Sequence, residues 1–177
     1  MKRIFFILPI VLLVGLAALS IVKLGQVGDA DKSDLFVGKV RPAPAIELPT
    51  LEHADYKLSD HLGEPVIVNL WATWCAPCKL EHPLLMEMSE QASIVGIAYK
   101  DKESTIKSML AIDGNPFTTV PLDKDGMVGL ALGINSVPET FLIDAKGVIV
   151  RQHRGPLYAE DAKEFLQAYK TLKNEIE

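Results

Sequence analysis

Residues 65–83 read PVIVNLWATWCAPCKLEHP, and the order of residue types in this stretch decides the fold. Pro65–Ala72 is a short apolar run rich in β-branched side chains, which predicts a buried central strand. Cys75 and Cys78, the only two cysteines of the 177-residue chain, follow at once. Beyond them Leu80, Leu84, Leu85 and Met88 recur at helical spacing to about Ala92. The pair therefore sits where a strand ends and a helix opens.

That location has a chemical use. The first turn of a helix carries backbone N–H groups without an intrahelical partner and the positive end of the macrodipole. A thiolate at Cys75 is stabilised there, so its pKa is expected below the free value of about 8.5, toward 7 or lower. The thiolate is the attacking species in disulfide exchange. Cys78 lies one turn further in, placed to attack a mixed disulfide on Cys75 and release the product. Pro77 falls within the first turn, where its missing N–H costs little.

The pair has rival uses. A purely structural disulfide would close a loop of a few residues and remove little unfolded-state entropy. Covalent haem attachment needs C-x-x-C-H, and position 79 is Lys. A metal-binding chaperone is the alternative from another class. His82 is four residues after Cys78, so Cys75, Cys78 and His82 form a possible zinc or copper ligand set. A peroxidase lacks support, because neither thiol lies in a P-x-x-x-T-x-x-C pattern.

A net charge of -5 and no basic block after the first residues argue against a nucleic-acid partner. An apolar fraction of 49% suffices for a sizeable core. Lys2 and Arg3 precede a 19-residue uncharged apolar segment, Ile4–Val22, about the length a helix needs to cross a bilayer. Positive charge before it favours an inside N-terminus. Residues 1–22 are therefore expected to be a membrane anchor, with a cleaved secretory signal as the alternative. Residues 23–37 read as a polar tether and residues 38–177 as the folded domain.

Outward from the cysteines, strand and helix signals alternate. Ala45–Pro49 and Tyr56–Leu58 suggest a small hairpin. Ser93–Tyr99 predicts a strand, Lys102–Ile112 a helix, Thr118–Asp123 an irregular strand and Met127–Leu132 a short helix. ETFLID and VIVRQH flank AKG as strand, turn and strand. The last helix, from about Tyr158, carries Phe165, Tyr169, Leu172 and Ile176 down one side. The fold class is α/β: a central mixed sheet flanked by helices. His53, His61 and His153 read as surface residues, and Trp71 as core beneath the cysteines.

With these pieces in order, the chain resembles the thioredoxin superfamily. WCAPC matches its active-site motif, Pro83 its helix-kinking proline, and VPETF (Val137–Phe141) its cis-proline segment. WATWCAPCKLEHP, GIAYKD, GNPF, DKDGMVGLALGINSVPETFLID and the N-terminal segment are similar to the DsbE/CcmG family. That resemblance implies a thioredoxin-like domain with an added N-terminal hairpin and an insertion within Ser93–Phe117. It implies a single-pass inner-membrane protein with its domain in the periplasm, where it reduces apocytochrome c disulfides during cytochrome c maturation. A DsbD-type membrane reductase would be its electron donor, and no cofactor is implied.

Carried over by residue, Cys75 is the exposed nucleophile, Cys78 the resolving thiol, Trp74 a shield and Pro138 the cis-proline. The backbone beside Pro138 would pair with an extended substrate strand. Glu81 and Glu139 match acidic positions of the family. The buried acid of ordinary thioredoxin aligns with Asn69, which cannot take a proton. Asn69 is therefore expected to be a buried amide satisfied by backbone groups. Glu81 is either the replacement proton acceptor for Cys78 or a solvated helix residue, and Glu139 is a rim charge that selects partners.

Overall fold

A computed structural model describes residues 40–52 and 54–176. The expected anchor, the tether and His53 lie outside the described residues. Among those described, no helix is long and apolar enough to cross a membrane.

The strands are β1 (Arg41–Pro42), β2 (Glu47–Pro49), β3 (Asp55–Lys57), β4 (Val66–Trp71), β5 (Ile94–Tyr99), β6 (Leu122–Asp123), β7 (Glu139–Ile143) and β8 (Val148–Arg154). The helices are α1 (Ala76–Ser89), α2 (Glu103–Asp113), α3 (Met127–Leu132) and α4 (Ala159–Asn174). Six strands form one mixed sheet in the order β1-β8-β7-β4-β5-β6. β4 runs parallel to β5 and antiparallel to β7. The predicted hairpin is present as β2 paired with β3.

β4 is buried at all six positions because both faces of the sheet are covered. Ile67 and Trp71 face a core shared with Leu85 and Met88 of α1, Ile106 and Met109 of α2, and Phe165 and Tyr169 of α4. Val66, Val68 and Leu70 face the other core, with Val128 and Leu132 of α3 and Ile46 and Tyr56 of the hairpin. A one-residue slip of β4 would exchange these faces and place Asn69 in an apolar layer, so the register is strongly specified.

Local chemistry agrees with these elements. Asp144 accepts from the N–H groups of Lys146 and Val148 and closes the turn between β7 and β8. The buried carboxylate of Asp123 accepts from the N–H groups of Val128 and Gly129 and satisfies the start of α3. Gly96 of β5 meets the Phe117 ring, and a Cβ there would fall 2.4 Å from ring carbons, so only glycine fits.

Some expectations need correction. Leu80 is 79% exposed, because its position on α1 turns away from the sheet. Ile94–Tyr99 is an integral strand hydrogen-bonded to β4, so it is no part of an insertion. His153 is buried at 3%, inside β8 and under the start of α4. Ile176 lies past the end of α4 and is exposed.

Candidate active site

Three chain segments converge at the carboxyl end of β4. The first is the turn Ala72–Cys75, closed by the Cys75 N–H donating to the Ala72 carbonyl at 3.2 Å. The second follows the parallel neighbour β5 at Lys100–Asp101. The third is the start of β7. Because β7 is antiparallel to β4, with Leu70 opposite Glu139, it brings the cis Val137–Pro138 peptide to this same end.

Cys75 and Cys78 form a disulfide. Cys75 is the N-cap of α1, with extended backbone, and its Sγ accepts the Cys78 N–H at 3.1 Å. This is the predicted arrangement: the sulfur occupies the position of an oxygen cap and receives an orphan donor of the first turn. Cys75 Sγ also lies 3.5 Å from the Val137 carbonyl oxygen. In the disulfide it has no proton to give, and in the thiol form the same geometry lets it donate. Pro77 stands in the first turn and is exposed.

The exposed nucleophile is corrected. Cys75 retains 4% of its surface and Cys78 3%, so exposure does not separate them. The cis-proline segment and the core under α1 enclose the pair. What distinguishes Cys75 is its place at the helix mouth. Trp74, the residue before it in the turn, is 59% exposed, its indole N–H donating to the Lys100 carbonyl at 3.2 Å. Trp71 is core as expected, stacked on Phe117 with ring centroids 5.1 Å apart.

Glu81 is no solvated helix residue; it is 1% exposed. Its Oε1 accepts from Asn69 Nδ2 at 2.9 Å and its Oε2 from the Leu157 N–H at 2.7 Å. Burial raises its pKa to about 7, although both donors favour the carboxylate and pull the other way. Asn69 is fully buried, but side chains rather than backbone groups hold it: Nδ2 also donates to Thr140 Oγ1 at 3.0 Å. Its Oδ1 accepts no hydrogen bond from the described residues. The pattern places a titrating carboxyl one turn past Cys78 on α1 and an amide at the strand position where it cannot titrate.

Glu139 as a rim charge is also corrected. It is 1% exposed and accepts from Gln152 Nε2 and, at 3.1 Å, from Arg154 Nε. Its place on β7, directly after the buried Pro138, turns the carboxylate inward against β8. The half-exposed Arg154 is the member of that pair that meets solvent.

The alternative metal set does not assemble. His82 is buried, its Nε2 lies 3.1 Å from the Gly114 carbonyl, and its ring meets Phe117 edge-on. No group of three metal-ligating side chains forms among the described residues.

Sequence reasoning missed Asp101, Thr140, Leu157 and Phe117. Asp101 accepts from the N–H and hydroxyl of Thr73. Thr140 holds Asn69, and the Leu157 N–H holds Glu81. Phe117 braces both Trp71 and His82. Asp101 and Phe117 lie in GIAYKD and GNPF, segments that carry the family likeness but no local sign of a contact. Thr140 and Leu157 carried no local signal.

The Redoxin family matches residues 39–169. A thiol:disulfide interchange protein DsbE of Tatumella citrea is 39% identical over 174 residues, covering 94% of this chain and 92% of that protein. That of Escherichia coli strain K12 is 35% identical over 181 residues, covering 96% and 97%. Among solved structures, a DsbE-type thiol:disulfide interchange protein of Chlorobium tepidum superposes with a TM-score of 0.65 at 28% identity. That match covers 75% of this chain and 97% of that one.

Proposed function

The chain belongs to the Redoxin family, among the DsbE-type thiol:disulfide interchange proteins, and on that premise we propose that it reduces apocytochrome c disulfides during cytochrome c maturation. It is a thiol–disulfide oxidoreductase. The finer role rests on the resemblance of the segments around Cys75, Asp101, Phe117 and Pro138 to that family. In this reading residues 1–22 hold the domain on the periplasmic face of the inner membrane, and a DsbD-type reductase returns the electrons.

The observation that carries the chemistry is Cys75 Sγ at the mouth of α1, taking the Cys78 N–H and lying against the Val137 carbonyl. In the reduced protein the Cys75 thiolate attacks one sulfur of the substrate disulfide. A mixed disulfide forms and the first substrate sulfur leaves as thiolate. Cys78 then gives up its proton and attacks Cys75 Sγ. The substrate leaves as a dithiol, two electrons richer, and the Cys75–Cys78 disulfide seen here remains. Glu81, held near neutral pKa one turn along α1, takes the Cys78 proton through water. The backbone at Val137–Pro138 pairs with an extended substrate segment beside Cys75.

The test is a Cys78→Ser variant of the full chain expressed in membranes. It should accumulate mixed disulfides through Cys75 with proteins carrying C-x-x-C-H, and Cys75→Ser should accumulate none. Recovery of only non-covalent complexes would overturn the division of labour between the thiols. Trapped partners without that motif would overturn the cytochrome role and leave a general thiol reductant.

A further inference from the structure

The turn that delivers Cys75 is clamped from outside the cysteine motif. Its first corner residue, Thr73, is 6% exposed and gives both of its donors to one carboxylate. The Thr73 N–H donates to Asp101 Oδ2 at 2.5 Å and the Thr73 hydroxyl to Asp101 Oδ1 at 3.1 Å. Asp101 is itself anchored, because its Oδ1 also accepts the Lys102 N–H at 2.7 Å, just ahead of α2. The second corner residue, Trp74, donates its indole N–H to the Lys100 carbonyl. Lys100 adopts the left-handed region, with φ 48°, which few non-glycine residues do. Its own N–H is fixed to the Asp123 carbonyl at 2.9 Å.

We propose that Asp101 is a positioning residue for thiol–disulfide exchange, locking the turn that presents Trp74 and Cys75 to an incoming polypeptide. The proposal rests on the exchange reading above. Asp101 reaches neither sulfur in any hydrogen bond; it acts through Thr73. Hydrogen bonds to an ionised acceptor are about twice as strong as neutral ones, so the carboxylate is the strongest tie on the turn. An exposed indole left to rotate would lose that freedom each time a partner docked, whereas a pinned one meets the partner in its bound orientation. A small disulfide, which needs only the sulfur, gains nothing from this arrangement. A polypeptide disulfide, which must lie across Trp74 to reach Cys75, does.

The full chain and its Asp101→Ala and Asp101→Asn variants are reduced and mixed with two oxidants. One is hydroxyethyl disulfide; the other is a short peptide closed by a Cys-x-x-Cys-His disulfide. Asp101→Ala should slow the peptide reaction by up to about tenfold, the fold-change that re-ordering one side chain at each docking event costs, and the small-molecule reaction by less than about twofold. Asp101→Asn keeps one oxygen and should fall between wild type and Asp101→Ala in the peptide reaction. Acrylamide quenching of the exposed Trp74 should rise in the same order, since Trp71 is buried. Equal slowing of both oxidants, or slowing of neither, would overturn the inference. If Asp101→Ala fails to fold, Asp101→Asn decides by the same ratio. A wild-type chain that exchanges with neither disulfide would overturn the exchange reading and this inference with it.

Discussion

Replacing Glu81 by Gln tests the buried carboxyl most directly. Burial lifts the folded-state pKa of Glu81 from the ordinary 4.5 to about 7. Between those values the unfolded chain releases the Glu81 proton and the folded chain keeps it. Folding stability therefore falls as pH rises from about 4.5 to about 7, then levels off with the carboxylate fully ionised inside the protein. At 1.36 kcal/mol for each tenfold change, the loss is on the order of 3 kcal/mol. The amide introduced by Glu81→Gln does not titrate, so the substitution removes the slope. That amide oxygen can still accept from the Leu157 N–H. Its NH₂ group cannot accept from Asn69 Nδ2, but Asn69 Oδ1 lacks a partner among the described residues and can turn to receive it. At about pH 8 the variant should be the more stable protein by about 1–3 kcal/mol, and at about pH 4 the two should agree within about 1 kcal/mol. Urea unfolding of the disulfide-intact proteins across that range, taken as variant minus wild type, cancels every other carboxylate. A difference that stays flat from about pH 4 to about pH 8 would refute the argument that burial outweighs the two donors.

Gly96→Ala drives a methyl into the Phe117 ring, which is held by Trp71, and should cost about 1–3 kcal/mol in urea unfolding; a loss below about 0.5 kcal/mol would show that the ring yields freely. Arg154→Ala leaves Glu139 buried with Gln152 as its remaining partner, and should destabilise by about 1–3 kcal/mol in urea unfolding at neutral pH, less than a fully buried pair because Arg154 is half exposed; an unchanged unfolding midpoint would show that the pair contributes nothing.

The active-site motif was legible because its chemistry is local. A cysteine at a helix mouth needs only the strand before it, the helix after it and the i to i+3 reach of one turn, and all of these lie within Pro65–Pro83. The hairpin, the β7–β8 turn and the short α3 were legible for the same reason, since β-branched runs and turn residues act on their neighbours in sequence. Glu81 and Glu139 are legible as acidic positions, but their surroundings are not: the sequence leaves Glu81 open between a proton acceptor and a solvated residue, and reads Glu139 as a rim charge. A helix or strand pattern tells which residues are charged, yet it does not tell which face a carboxylate turns to. Only the packing of α1 over β4 and β7 seats Glu81 against Asn69 and the Leu157 N–H, from residues 12 and 76 positions away. Only the antiparallel register of β7 and β8 sets Glu139 opposite Arg154. The residues by themselves determined what the sulfurs can do; the tertiary structure decided how much water reaches them, where a proton can rest, and which carboxylate, Asp101, holds the turn. Covalent spacing carries the first kind of information, whereas burial and long-range hydrogen bonds exist only after distant segments meet.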